Sequence, residues 1–136
     1  MSDRKSVVED YIDGFRRTDH AGILACLTDD VVWAIHGYRT LRGKDAFDDE
    51  IESDAAVGSP ALALDRLIEE DDTVVPVGHG ETTLKDTGRV AFVFTELFTF
   101  TGNLIRRIDT FHINVGDTGE TLLDVPTRVC GLTNLI

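Results

Sequence analysis

The sequence predicts an α+β domain in which helices come first and an antiparallel sheet follows. In the first third of the chain, apolar residues recur every three or four positions, which is typical of amphipathic helices. From Ala61 onward the period changes to two, and short turn-rich segments separate four strand-like runs. Helices followed by a meander of strands indicate the α+β class with one sheet.

Three helices are predicted before the meander. The first spans about Arg4–Arg17, the second follows the capping pair Thr18-Asp19 and reaches Leu27, and the third covers Lys44–Asp54. Their apolar residues repeat at helical spacing: Val8, Tyr11, Ile12 and Phe15, then Ile23, Leu24 and Leu27, then Phe47 and Ile51.

The strands are predicted from alternation and from the turn residues between them. A short strand, Val31–Ile35, precedes a loop at Gly37–Gly43, and the meander consists of residues 61–69, 73–84, 89–101 and 104–115. The separators are short and rich in Gly, Asp and Thr, so consecutive strands should pair as antiparallel neighbours. The chain is predicted to be a single domain, 1–136, with residues 116–136 as a C-terminal tail.

Composition narrows the range of partners and cofactors. The 136 residues carry 13 basic and 25 acidic side chains, a formal charge of −12, which would repel nucleic acid and an anionic membrane. Two distant cysteines and no signal peptide at the start predict a cytoplasmic protein with reduced thiols. Neither a Gly-rich phosphate loop nor an HxH or HExxH spacing occurs, so neither a cofactor nor a metal is predicted.

One strand carries the strongest chemical signal. From Phe92 to Phe100 every second residue is phenylalanine except Glu96, and strand alternation sends all of them to one face. Four phenylalanine rings on one face are not left in contact with water, so this face of the strand should be core or pocket. Glu96 is then predicted to be a carboxylic acid whose pKa is raised by burial, able to donate a hydrogen bond or act as general acid. A structural carboxylate bonded to a nearby Tyr, Arg or backbone group is the alternative.

The order of elements resembles the NTF2-like superfamily, especially its SnoaL-like and ketosteroid-isomerase-like members. The resemblance covers roughly residues 5–115 and rests on five segments: Val8–Phe15, Leu27–Trp33, Leu41–Phe47, Thr101–Ile105 and Ile108–His112. It implies a cone in which three N-terminal helices pack on a strongly curved antiparallel sheet and enclose a pocket. A small, mostly apolar molecule is the implied partner.

The resemblance also implies roles for individual residues. Tyr11 corresponds to a hydrogen-bond donor on the first helix of steroid isomerases, and Glu96 falls near the strand position where those enzymes hold a protonated aspartic acid. At the position of their general-base aspartate this chain has Ile35, beside His36. His36 is therefore one candidate base, since imidazole titrates near neutrality. A solvated loop histidine is the alternative.

Further candidates come from the last strand. Thr110 and His112 share one face, which the resemblance turns toward the cavity, whereas Asp109 and Phe111 share the face turned toward a partner subunit. His112 is thus a second candidate base. His79 is left open, because alternation alone does not decide between pocket and outer face. The residues predicted to contact substrate are Phe15, Trp33, Phe47, Phe94, Phe98 and Thr110.

The predicted function is that of a cofactor-free isomerase, cyclase or hydratase acting on an apolar carbonyl-type substrate. Tyr11 and Glu96 would stabilise an enolate or alkoxide, and His36 or His112 would move the proton. A non-catalytic ligand-binding module and a dimerising scaffold of the same fold are the alternatives. A homodimer through the outer sheet face is expected, because apolar residues alternate outward there: Val93, Leu97, Phe111 and Ile113.

Overall fold

A computed structural model describes residues 3–116 of the protein, so residues 117–136 of the predicted tail lie outside the described residues. The helices are α1 (Asp3–Arg17), α2 (His20–Leu24) and α3 (Lys44–Ile51). The strands are β1 (Leu27–Ile35), β2 (Arg39–Arg42), β3 (Ala61–Glu70), β4 (Thr73–Leu84), β5 (Gly88–Thr101) and β6 (Leu104–Gly116). The predicted α+β class is confirmed.

The described strands form one sheet in the order β2-β1-β6-β5-β4-β3. The meander β3–β6 is antiparallel throughout, as predicted. The prediction of a wholly antiparallel sheet is wrong at one place, because β1 runs parallel to β6. The two strands are far apart in sequence, and only a long crossover connection allows such a parallel pair. This pairing brings the N-terminal third of the chain beside the last strand.

Helix α1 provides the main apolar cover for the sheet. It packs against β3 and β4 and buries Val8, Tyr11 and Ile12, which lie three and four residues apart on one side. Asp3 in its first turn and two arginines in its last turn complement the helix dipole. Helix α2 has only five residues and is capped by Asp19, whose side chain accepts a hydrogen bond from the Gly22 amide at 3.0 Å.

Three predicted boundaries are corrected. Leu27 does not belong to α2 but begins β1, where it pairs with Ile105. Residues 39–42 of the predicted loop form the edge strand β2, which is mostly exposed and therefore shows no apolar alternation. Helix α3 ends at Ile51 rather than Asp54, because the Ser53 hydroxyl accepts the Ala55 amide and favours a turn.

The core lies between the helices and the inner face of the sheet. Its fully buried side chains come from every layer: Val8, Tyr11, Ile23, Leu27, Val31, Phe47, Val74, Phe98, Phe100, Ile105 and Ile108. Phe98 meets the Tyr11 ring edge-on at a centroid distance of 5.0 Å, and Phe47 stacks on Trp33 at 4.3 Å. Among residues 3–116, no helix combines the length and the hydropathy needed to cross a bilayer.

Candidate functional site

A cavity of about 240 Å³ opens at one end of the inner sheet face, beside α1. Its walls are largely aromatic, with Tyr11 and Phe15 from α1, Trp33 from β1, and Phe92 and Phe94 from β5. The fully buried Phe98 and Phe100 lie farther along the same face of β5. Strand β5 therefore runs from packed core into an open, aromatic-walled space.

Glu96 is the acidic group of this cavity. It is 6 % exposed and sits on β5 between two phenylalanines of the same face, as the alternation predicted. Its Oε2 accepts a hydrogen bond from the Thr110 hydroxyl at 2.6 Å. Burial raises the pKa of Glu96 from 4.5 to about 7, although the bond from Thr110, which favours the ionised form, opposes that rise. Near neutral pH the carboxyl is consequently present in both protonation states.

The Thr110 hydroxyl is itself held by Trp33. The indole Nε1 donates to Thr110 Oγ1 at 2.8 Å, and both side chains are buried. The bond joins two adjacent strands, since Ile35 of β1 pairs with Thr110 of β6. Trp33, Thr110 and Glu96 thus form a continuous hydrogen-bonded chain across β1, β6 and β5.

Tyr11 and His112 bring two further polar groups to the cavity wall. The Tyr11 hydroxyl is buried and has no hydrogen-bond partner within the described part of the chain. Burial, followed by the charges of Glu96 and Cys26, raises the pKa of Tyr11 well above its ordinary value, so the phenol stays protonated. His112 stacks on Phe92 at a ring distance of 4.3 Å and borders the cavity from β6.

Comparison with known families identifies the fold. The model of the SnoaL-like domain family matches residues 8–108. The chain belongs to the SnoaL-like domain family. A search of curated protein sequences gives no match.

Solved structures similar to this SnoaL-like chain share its architecture at low identity. An NTF2-like protein of unknown function from Burkholderia pseudomallei K96243 has a TM-score of 0.76 at 21% identity, over 96% of this chain and 100% of its own. An LEH-like epoxide hydrolase from M. tuberculosis has a TM-score of 0.71 at 18% identity, over 81% of this chain and 82% of its own. TerC, co-crystallised with polyporic acid, has a TM-score of 0.70 at 23% identity, over 85% of this chain and 92% of its own. At these identities the likeness establishes the fold alone.

Most of the predicted site residues line the cavity of this SnoaL-like domain: Tyr11, Phe15, Trp33, Phe94, Glu96, Thr110 and His112. Phe47 and Phe98 do not line it. Phe47 is 1 % exposed and Phe98 is 0 % exposed, so both belong to the core. There Phe47 stacks on Trp33, and Phe98 meets Tyr11 edge-on. Among residues 3–116, no three His, Cys, Asp or Glu side chains are arranged to hold a metal ion.

The placement of His36 in the site is wrong. His36 lies on the outer face, where its Nε2 bonds Asp109 at 2.9 Å and its ring stacks on Phe111 at 4.5 Å. Asp109 is held at the same time by two bonds from Arg107, which hold its pKa below the usual range. The physical reason is strand alternation, because His36 follows Ile35 and therefore takes the face opposite to Thr110.

The sequence reasoning missed five cavity residues in this SnoaL-like domain: Ile12, Pro60, Leu62, Thr82 and Phe92. A signal existed for Phe92, which shares the face of Glu96, and for Thr82, which follows Gly78 and Gly80 in alternation. The structure resolves the open question of His79. Its ring is exposed and bonds Asp65 at 2.9 Å, away from the cavity.

Proposed function

We propose that the chain is a cofactor-free enzyme that moves a proton on a small, mostly apolar carbonyl compound, as an isomerase, cyclase or hydratase does. The observation that carries this proposal is Glu96, a buried carboxyl in an aromatic cavity with its pKa raised to about 7. General acid–base catalysis is most effective when the pKa of the catalytic group lies near the working pH. The helices and the sheet together would form the ligand-binding pocket.

Glu96 and Tyr11 would stabilise the developing negative charge on the substrate oxygen. Protonated Glu96 donates to that oxygen, and the Tyr11 hydroxyl supplies a second bond. Leaving a buried hydroxyl without a partner costs about 1–3 kcal/mol. A ligand oxygen that accepts from Tyr11 would recover this energy, which supports the assignment of the unpartnered phenol to ligand binding.

His112 would act as the base. His112 pairs with Phe94 of β5 and is therefore the diagonal neighbour of Glu96 on the inner face. The Cα atoms of such diagonal neighbours lie about 7 Å apart. In the proposed step His112 removes a proton from the carbon beside the carbonyl, and the C–H electrons form a C=C bond. The carbonyl π electrons take the proton of Glu96, giving an enol. In a substrate with a conjugated C=C bond, His112 then returns its proton to a different carbon of the conjugated system, the enol O–H gives its proton back to Glu96, and the C=O bond reforms, which completes an isomerisation.

The substrate would be an uncharged molecule with a single oxygen-rich end. No lysine or arginine of residues 3–116 lines the cavity, and the chain carries a charge of −12, so anions are disfavoured. The aromatic walls favour rings or hydrocarbon. TerC was co-crystallised with polyporic acid, and the M. tuberculosis neighbour is described as an epoxide hydrolase, so organic ligands and their chemistry occur on this fold.

The test is hydrogen–deuterium exchange at carbon in D₂O, followed by proton NMR on a panel of cyclic and aromatic ketones. Glu96→Gln should lower exchange at least 100-fold, the usual contribution of a general acid. Glu81→Gln, which changes an exposed glutamate of β4, is the matched control and should exchange at the wild-type rate. Undiminished exchange in Glu96→Gln contradicts the proposal. Ligand binding without exchange in the wild type favours the non-catalytic module.

His112 and His36 make a second comparison. His112→Gln should lower exchange about 100-fold because it removes the base. His36→Gln alters an outer-face residue and should leave the rate unchanged. Equal effects of both substitutions on the exchange rate would exclude His112 as the base.

A further inference from the structure

The hydrogen-bonded chain of Trp33, Thr110 and Glu96 has a fixed direction. Trp33 Nε1–H is a donor only, and it donates to Thr110 Oγ1 at 2.8 Å. The Thr110 hydroxyl has one hydrogen to give. Within the described residues its one acceptor at hydrogen-bonding distance is Glu96 Oε2, at 2.6 Å. The indole therefore orients the hydroxyl, and the hydroxyl donates to the carboxyl.

This direction constrains Glu96 in its protonated state. A proton on Oε2 would point at Thr110 Oγ1 and displace the threonine hydrogen from its acceptor. The threonine hydrogen would then be buried without a partner, at a cost that buried polar groups avoid. A proton on Oε1 keeps both bonds of the chain. Oε1 makes no hydrogen bond to any of residues 3–116, and Glu96 borders the cavity.

We infer that Trp33 and Thr110 are positioning residues that keep Oε2 of Glu96 as an acceptor and so place the transferable proton on Oε1. The ligand then meets an O–H donor, and its atom nearest to Glu96 is an acceptor such as a carbonyl, ether or epoxide oxygen. The use of that proton in turnover rests on the proposed function. The placement of the proton does not, because it follows from the three side chains alone.

Infrared difference spectroscopy tests the placement without any substrate. Spectra of the protein at pH 5.5 and pH 8.5 differ by the ionisation of Glu96, and the carbonyl band of its acid form is assigned by its loss in Glu96→Gln. With the proton on Oε1, the carbonyl oxygen is Oε2 and accepts from Thr110, so the wild-type band lies at low wavenumber. Thr110→Val should shift it to higher wavenumber, and Thr110→Ser should restore it.

The pKa of Glu96 gives an independent readout, measured by carbon NMR of labelled glutamate. Thr110→Val removes a donor to the ionised form, so the pKa of Glu96 should rise by about 1–2 units. Thr110→Ser should leave it in place. Thr95→Val is the matched control, since the Thr95 hydroxyl donates to the Pro76 carbonyl at 2.9 Å rather than to Glu96. The pH profile of exchange should move with the pKa in Thr110→Val.

Trp33→Phe is the second variant and releases the threonine hydroxyl. Without the indole donor Thr110 can rotate, both carboxyl oxygens can carry the proton, and the single band should split in two. A wild-type band at the wavenumber of an unbonded carbonyl, unmoved by Thr110→Val, overturns the inference while leaving the proposed function intact. A bonded carbonyl in a protein with no exchange activity supports the placement and removes the proposed function.

Discussion

At the scale of the residue, Glu96 shows how a carboxyl is retained in an aromatic environment. Burial favours its neutral form, and one hydrogen bond from Thr110 favours the charged form without restoring the ordinary pKa. The shift from 4.5 to about 7 corresponds to about 3 kcal/mol, at 1.36 kcal/mol per unit. That energy destabilises the folded state whenever the solution keeps the carboxyl ionised.

The contribution of Glu96 to stability should therefore fall as the pH rises from 4.5 to about 7. In this range the carboxyl of Glu96 binds more protons in the folded state than in the unfolded state, so its part of the free energy of unfolding decreases with pH. Glu96→Gln removes this pH-dependent contribution to the free energy of unfolding. The stability of the variant relative to wild type should increase by about 3 kcal/mol from pH 4.5 to pH 8 in urea unfolding.

The exposed Glu81→Gln serves again as the control for the loss of one carboxyl group. A difference between Glu96→Gln and wild type that does not change with pH would mean that Glu96 titrates as an ordinary glutamate.

Individual residues were predictable where strand alternation alone decided their face. Glu96 was found this way, because its four phenylalanine neighbours define the buried side of β5. The bond of His36 to Asp109 spans 73 positions of the chain and depends on how β1 is registered against β6. Likewise, no local pattern links Trp33 to Thr110. Contacts set by a parallel pair of distant strands have no signature in a short window of sequence.

At the scale of the element, two glycines of β4 explain how the cavity wall is built. Gly78 and Gly80 lie directly opposite Phe94 and Phe92 of β5. A Cβ atom at Gly78 would lie 2.7 Å from Phe94 Cζ, and one at Gly80 would lie 2.9 Å from Phe92 Cζ. The rings thus occupy the space that side chains on β4 would fill. Because these two positions of β4 carry no side chain, β5 can place large aromatic rings opposite them.

Gly78→Ala should destabilise the protein by about 3 kcal/mol, because the added methyl meets both the Phe94 ring and the Ala63 carbonyl oxygen. Urea unfolding measures the loss, and a displaced Phe94 ring should also weaken ligand binding. Gly102→Ala is the comparison: its φ is +60° and nothing lies within 4 Å, so it should cost only about 1 kcal/mol of backbone strain. Similar losses in both variants would argue against the ring contact.

Elements with strong apolar periodicity were predicted closely, and those without it were not. The meander strands and α1 matched within one residue at each end. Strand β2 was missed because its exposed residues give no alternation, and the register of β1 shifts between Leu27 and Val32. These segments are defined by backbone pairing with neighbours rather than by burial of their own side chains.

At the scale of the whole molecule, the two faces of the sheet have different surroundings. The inner face carries the core and the cavity. The outer face leaves large apolar side chains in solvent on its central strands, among them Leu97 at 38 % exposure, Phe111 at 40 % and Ile113 at 62 %. Val93 and Ile113 pair directly, so these side chains are neighbours. The homodimer through this face stays a prediction, and the patch is the reason for it.

If a second copy covers the patch, Ile113→Lys should weaken association at least 10-fold, since it introduces a charge at the apolar contact. Sedimentation velocity across a concentration series measures the shift from dimer to monomer. Val57→Lys alters another exposed apolar residue, one outside the sheet, and should sediment as the wild type does. A wild-type protein that remains monomeric at all concentrations excludes the dimer.

The fold gives this protein an optical probe of its own site. Trp33 is the one tryptophan in the chain, it lines the cavity, and its indole N–H is separated from Glu96 by a single hydroxyl group. Its fluorescence emission therefore comes from one known location. The emission should respond both to ligands that enter the cavity and to the titration of the neighbouring acid, so unlabelled protein is sufficient for ligand screening.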